Sequence, residues 1–177
     1  MRRLWLRLPL AGKVFVSCAG LLLFFISAGN AVLYRSASHS LRQEVRSKVE
    51  GIARTAALQI EPALHRRLRA RADESTDAYR RLKSTLAAIR NANPEIRYIY
   101  TMRRTNKKNV WQFVVDAEED PKLVSHLGDL YDVSKYPDMQ EAFDGPTSDK
   151  DLTTDKWGTW LSGYAPIRDT NGRAEAI

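Results

Sequence analysis

The sequence predicts a mixed α/β chain, of the α+β kind, in which a transmembrane helix and a long juxtamembrane helix precede an antiparallel sheet with flanking helices. Three observations predict it: an uncharged apolar run, a helical repeat of apolar residues after it, and strand-like alternation beyond residue 93. The four predicted regions are a basic flank at 1–13, a transmembrane helix at 14–34, a helical region at 35–92 and a sheet region at 93–177.

The apolar run at 14–34 contains no charged residue and is long enough to cross a bilayer, which takes roughly 20 residues. Basic residues between Arg2 and Lys13 favour a cytoplasmic N-terminus, although more basic residues follow from Arg35 onwards. We therefore predict a single-pass protein of the cytoplasmic membrane whose C-terminal domain is extracytoplasmic. The alternative is a signal peptide cleaved near 29–31, but its apolar core is usually shorter, about 7 to 15 residues.

The distribution of charge decides between two classes of partner. The 177 residues carry a formal net charge of +7, and most of the basic excess lies before Arg104, around the apolar run. Basic residues that bracket such a run fit lipid headgroups, so we expect a membrane and no nucleic acid as partner. The single cysteine, Cys18, lies inside the run, which leaves no disulfide and no cysteine-based zinc site within one chain.

Beyond the membrane run, apolar residues recur every three or four positions, as on one face of a helix. They are Leu41, Val45, Val49, Ile52, Ala56, Ile60 and Ala63. This stripe fits two arrangements: a helix packed on its own domain, or a parallel helix pair in a homodimer, which is the predicted oligomer. Pro62 predicts a restart of the helix near Glu61, and a further helix is predicted at 79–89.

The sequence contains no pattern typical of catalysis or metal binding. His39, His65 and His126 are isolated, and the arginines around His65 disfavour a protonated imidazole. We expect surface or packing histidines, no catalytic or metal-ligating residue, and no cofactor. The carboxylates between Asp116 and Asp132 lack the spacing of a calcium loop, and those before Pro121 are interpreted as a solvated turn.

Two strand-like segments predict a β-hairpin. Residues 96–102 are rich in β-branched and aromatic side chains, residues 106–109 form a turn, and residues 110–115 form the partner strand. The hairpin carries the rings of Tyr98, Tyr100 and Trp111 among its aromatic side chains. Periodicity alone does not say which of them face a core and which a cavity. The segment after the hairpin is predicted as loop, with a short helix at 139–143.

The last motif, at 157–172, predicts a loop, a strand and a tight turn. It contains three large rings, those of Trp157, Trp160 and Tyr164. Clustered rings suit the wall of a small-molecule pocket, and Gly158 and Gly163 are positions where the backbone can bend or another group can approach closely. The Asp-Thr-Asn-Gly sequence at 169–172 is typical of a turn, because its side chains bond their own backbone and its glycine accepts positive φ.

Four stretches carry a family resemblance: NPEIRYIYTM (93–102), FVVDAEEDP (113–121), GDLYD (128–132) and DKWGTWLSGYAPIRDTNGR (155–173). They resemble the extracytoplasmic Cache (PAS-like) sensor domains of bacterial transmembrane receptors. Such receptors include histidine kinases of two-component systems, adenylate and diguanylate cyclases, and chemoreceptors. The resemblance covers roughly Arg35 to the end and is strongest in the last stretch.

The resemblance implies a long helix packed on a twisted antiparallel sheet, with a ligand held between the sheet and the segment that crosses it. It implies eight ligand-binding candidates: Tyr98, Tyr100, Trp111, Asp116, Tyr131, Trp157, Trp160 and Tyr164. In the family such a sheet continues through another strand and a second membrane helix to an output module. We therefore expect this chain to be a fragment of a receptor, with a sheet that is incomplete at its C-terminal end.

The expected function is that of a membrane-anchored, extracytoplasmic ligand-sensing domain in signal transduction, with no enzymatic activity of its own. Because acidic and aromatic residues share the same motifs, we expect a small-molecule ligand of cationic or amine character, held by Asp116 and by cation–π contacts. Two alternatives stay open. One is a small membrane-tethered interaction protein whose long helix binds a partner, and the less favoured one is a periplasmic enzyme.

Overall fold

The computed structural model describes residues 9–155 and 158–177, and these form helices and small antiparallel sheets, as the predicted fold class requires. The helices are α1 (Leu10–Gln59), α2 (Pro62–Arg67), a 3₁₀ helix (Arg71–Ser75), α3 (Asp77–Ala92) and α4 (Pro137–Glu141). The strands are β1 (Tyr100–Arg104), β2 (Val110–Asp116), β3 (Leu130–Asp132), β4 (Thr147–Ser148), β5 (Thr153–Asp155), β6 (Gly158–Trp160), β7 (Gly163–Tyr164), β8 (Ile167–Arg168) and β9 (Ala174–Ala176). The chain divides into two compact units between Glu44 and Val45.

Helix α1 is, within the described ranges, the one helix that is long and apolar enough to span a membrane. In the N-terminal unit its large apolar side chains are exposed, with values from 58% to 67% for residues 21–26. Exposed apolar side chains in water are costly, whereas in a bilayer they contact lipid. Length, composition and this exposure are what support a membrane helix here.

Proline and a capping threonine divide the rest of the helical region. Pro62 is the first residue of α2, a position where its missing N–H breaks no hydrogen bond, and the predicted restart is confirmed. Helix α3 begins after Thr76, whose Oγ1 accepts a hydrogen bond of 3.3 Å from the Tyr79 N–H. It buries Tyr79, Leu82 and Leu86 on one face, so the predicted third helix is also confirmed.

Strands β1, β2 and β3 form an antiparallel sheet in that order. Strand β1 begins at Tyr100 rather than at the predicted Ile96, because the Ile96 N–H donates to the Asn93 carbonyl (2.9 Å) in the turn that follows α3. On the other side of β1, Ile177 exchanges two backbone hydrogen bonds of 2.8 and 2.9 Å with Met102. These bonds bring the β8–β9 hairpin beside the sheet.

A β-bulge in β2 decides which apolar cluster each of its residues joins. Val114 is the extra residue, because the register shifts between Thr101 and Met102 of β1. Trp111 and Phe113, which precede it, are buried in one cluster with residues of α4, whereas Val114 and the valine after it are buried in another with residues of α3. Both clusters lie in the C-terminal unit.

Gly163 permits a close approach between β7 and α1, which is one of the two roles that the sequence left open for this glycine. A Cβ atom on Gly163 would lie 2.4 Å from both the carbonyl carbon and the carbonyl oxygen of Val49. Gly158 has a φ of +145°, and a Cβ there would lie 2.6 Å from the Trp160 ring. A larger residue therefore displaces neighbouring atoms at both positions, the Trp160 side chain at Gly158 and the helix backbone at Gly163.

Gly163→Ala is expected to lower the free energy of unfolding by about 1–3 kcal/mol, since the added methyl group meets helix backbone that cannot rotate away. Gly145→Ala is the matched control, because a Cβ there meets no atom within 4 Å. Thermal unfolding of the full chain in lipid nanodiscs, followed by circular dichroism, measures the difference. Equal unfolding temperatures for the two variants would contradict the close contact.

Candidate functional site

A cavity of about 520 Å³ lies in the C-terminal unit. Its walls are the part of α1 that follows Glu44, the sheet with the segment before it, and residues 160–165. Small-molecule sites in proteins commonly measure roughly 300–1,000 Å³, so the cavity is large enough for a ligand.

The apolar stripe of α1 faces this cavity. Val45, Val49, Ile52, Ala56 and Ile60 all line it. Within the C-terminal unit the stripe therefore packs inside its own domain, which is the first of the two predicted arrangements. The short side chains of this face are what leave the space open, because alanine projects only a methyl group from the helix.

Six of the eight predicted site residues line the cavity: Tyr98, Tyr100, Asp116, Tyr131, Trp160 and Tyr164. Trp157 lies outside the described residues. Trp111 is 4% exposed and packs edge-on against Phe143, with 5.2 Å between ring centroids, in the core cluster on the α4 side of the sheet. The structure thus brings six candidates to one cavity, and contact of each with a ligand stays a prediction.

The aromatic rings of the cavity wall pack on one another and on a cation. Tyr98 and Trp160 meet edge to face, with their centroids 5.1 Å apart. The guanidinium carbon of Arg97 lies 4.6 Å from the centroid of the Tyr98 ring, so this ring already makes a cation–π contact within the protein. Tyr100 packs edge-on against Phe113 at 5.1 Å.

Asp116 lies at the end of β2, as predicted, but its carboxylate is held by the backbone. One oxygen accepts the Glu118 N–H at 2.9 Å and the other accepts the Ser125 N–H at 2.8 Å. Burial raises the pKa of Asp116, and these two hydrogen bonds oppose the rise. The residue therefore has a visible structural role: it fastens the loop after β2 to the end of the strand.

Tyr164 contributes its ring to the wall, and its hydroxyl points to Asp149. The hydroxyl donates a hydrogen bond of 2.8 Å to this carboxylate, which is 2% exposed and also accepts the Ser162 N–H at 2.9 Å. Burial raises the pKa of Asp149, and burial together with the neighbouring carboxylate raises the pKa of Tyr164. These hydrogen bonds join Asp149 to Ser162 and Tyr164, two residues of the cavity wall.

One rim of the cavity is charged and accessible to water. Lys48 Nζ lies 2.6 Å from the Glu95 carboxylate, with the two side chains 59% and 41% exposed. Arg97 forms a second ion pair of 3.0 Å with Glu118. This rim was not predicted from the sequence, because Lys48 and Glu95 lie far apart in the chain and no sequence pattern indicates that the two pair.

His65 is a buried packing residue beside the cavity-lining Thr101, in agreement with the prediction. Its Nε2 shares a hydrogen bond of 2.9 Å with the Thr101 hydroxyl, and its carbonyl accepts a hydrogen bond of 2.8 Å from Arg103. Burial, followed by the charge of Arg103, lowers the pKa of His65 to about 3.

Across residues 9–155 and 158–177 no group of three or more His, Cys, Asp or Glu side chains is arranged to hold a metal ion.

Comparisons with known proteins identify no relative: no protein-family model matches the chain, and neither a curated protein nor a solved structure matches it.

The His65 pKa predicts a pH dependence of stability. An unfolded histidine titrates near pH 6.5, so between there and about pH 3 the unfolded chain binds a proton that the folded chain does not. The contribution of His65 to the free energy of unfolding is therefore fully present above about pH 6.5. It falls as the pH drops toward about 3, by about 1.4 kcal/mol per pH unit.

The variant His65→Gln isolates this effect, because glutamine can bond Thr101 without titrating, while the carboxylates titrate alike in both chains. The stability of the original chain relative to the variant should decrease between about pH 7 and about pH 4 in urea unfolding. A stability difference that stays constant over this range would show that His65 is not buried in the neutral form.

Proposed function

We propose that the chain is the membrane-anchored, extracytoplasmic ligand-sensing domain of a signal-transduction receptor, with a Cache-like (PAS-like) fold and a small-molecule site in the cavity. The observation that carries the proposal is the convergence of six predicted ligand-binding residues and the stripe of α1 on one cavity. The antiparallel sheet, the β8–β9 hairpin beside β1 and the long helix support the PAS-like arrangement. The exposed apolar N-terminal part of α1 supports the membrane anchor.

Helix α1 is the element through which a ligand is sensed. Val49 and Ile52 line the cavity, and the same helix carries the apolar run. A ligand that packs better against one position of the helix than another shifts the population toward that position. Displacements of 1–2 Å, of the order seen for helices in allosteric proteins, are sufficient for such a signal.

Ala53→Leu is expected to abolish ligand binding, since the larger side chain fills the cavity that Ala53 lines. A set of alcohols, carboxylates, amines and amino acids is tested against the full chain in lipid nanodiscs, with thermal unfolding as readout. At least one compound should raise the unfolding temperature of the original chain and leave that of Ala53→Leu unchanged.

The matched control is Ala63→Leu, which changes an exposed alanine of α2 outside the cavity. This variant should respond to the compound as the original chain does. If no compound in the set stabilises the chain, or if both variants respond equally, the cavity is not a ligand site and the proposed function fails.

We place the proposed homodimer contact on the face of α1 that points away from the cavity. Leu58 is 83% exposed and does not line the cavity, whereas Ile52 does. In a parallel helix pair the outward-facing leucine meets its symmetry mate, which removes an exposed apolar side chain from water.

In a Cys18→Ser background, Leu58→Cys should therefore form an intermolecular disulfide in the membrane much faster than Ile52→Cys. Oxidation followed by non-reducing electrophoresis measures both rates. Faster crosslinking at Ile52 would mean that the stripe itself is the dimer contact, and crosslinking at neither position would argue for a monomer.

A further inference from the structure

The inner part of the cavity is lined by apolar side chains that are shielded from water. Leu86, Met102 and Ile167 are each 1% exposed, and Met139 is 2% exposed. A ligand in the cavity also covers half-buried apolar side chains of the same wall, such as Ile52, and the favourable term grows with the apolar area that it buries. A charged group at this depth would lose its hydration.

The carboxylates in the described lining already have partners inside the protein. Asp116 accepts two backbone N–H groups through its two oxygens, and Glu95 pairs with Lys48. A ligand ammonium would have to compete with these contacts, because a buried cation needs a counter-charge with which it forms hydrogen bonds. The carboxylates are therefore poorly suited to hold an amine.

The charged rim also disfavours a cationic ligand. Both of its cations, Lys48 and Arg97, line the cavity, and the Arg97 guanidinium already lies over the Tyr98 ring, 4.6 Å from its centroid. An ammonium at the rim would have to displace Lys48 or Arg97 from its carboxylate partner, because each of these cations is already ion-paired. An uncharged polar group requires no such displacement and can bond either member of an ion pair.

We infer that the ligand of the cavity is a predominantly apolar molecule with one uncharged polar end, such as a medium-chain or aryl-substituted alcohol, and not an amine or an amino acid. The apolar body lies among the methionine and aliphatic side chains, and the polar end lies at the rim formed by Lys48, Glu95 and Arg97. This inference rests on the proposed ligand site and replaces the amine expected from the sequence.

Two methionines make the inference directly testable. Met102 and Met139 both line the cavity, and the chain contains only one other methionine. Their ¹³C-labelled methyl groups report on occupancy of the inner part of the cavity in the full chain, in nanodiscs. The probes are 2-phenylethanol and 2-phenylethylamine, which share one apolar body and differ in the end group, with decanol as a second alcohol.

Both alcohols should shift the Met102 and Met139 resonances, and 2-phenylethanol should bind with an affinity higher than that of the amine by roughly tenfold or more. Ala53→Leu should remove the shifts and Ala63→Leu should retain them. If Ala53→Leu does not fold, displacement of 2-phenylethanol by decanol in the original chain shows that both occupy one site.

The outcomes separate the two proposals. Tighter binding of the amine, weakened by Asp116→Asn, would overturn the inference and leave the ligand-sensing function standing. Methionine shifts with neither alcohol, together with binding of a free amino acid, would do the same. If no compound of any class binds, both the inference and the proposed function fail.

Discussion

The close contact between Gly163 and the backbone of Val49 is the constraint on which the C-terminal unit depends. A Cβ atom at Gly163 would lie 2.4 Å from the Val49 carbonyl, so β7 lies closer to α1 than a residue with a side chain allows without displacement. Beside this contact the helix presents alanines and valines, so the two surfaces that meet at Gly163 separate again around it. Small residues therefore produce both features: glycine in β7 allows the contact with α1, and alanines of α1 line the adjoining cavity.

Local signals in the sequence predicted the helical part of the fold well, because each of them acts within a few residues. The stripe of α1, the restart at Pro62 and the apolar face of α3 all depend on such short-range patterns. The sheet was harder to predict. Strand β1 begins late because a turn takes the Ile96 N–H, and the bulge at Val114 reassigns the faces of β2. The alternation of side chains along the sequence indicates neither the late start of β1 nor the bulge in β2. The place of Trp111 in the core could therefore not be predicted.

For the site, the sequence predicted a group of seven rings, five of which line the cavity, but it did not predict the partners of the polar groups. Tyr98, Tyr131 and Tyr164 were identified from motifs that only the folded chain brings together. The partners of the polar groups follow from tertiary structure: the Ser125 N–H bonds Asp116, and Asp149 accepts the Tyr164 hydroxyl. A carboxylate beside aromatic rings is typical of an amine site, but both oxygens of Asp116 accept backbone N–H groups. The chemistry that a cavity selects thus depends on which polar groups the protein itself already satisfies.

The alanines of α1 have an evolutionary consequence. Ala53, Ala56 and Ala57 all line the cavity from one helix, α1, and none of them belongs to the sheet. A single-base change converts an alanine codon into a valine codon, and each such change removes the volume of two methyl groups from the cavity while the sheet stays intact. The size of molecule that fits can therefore diverge among descendants of this chain in small mutational steps, without rebuilding the fold that surrounds it.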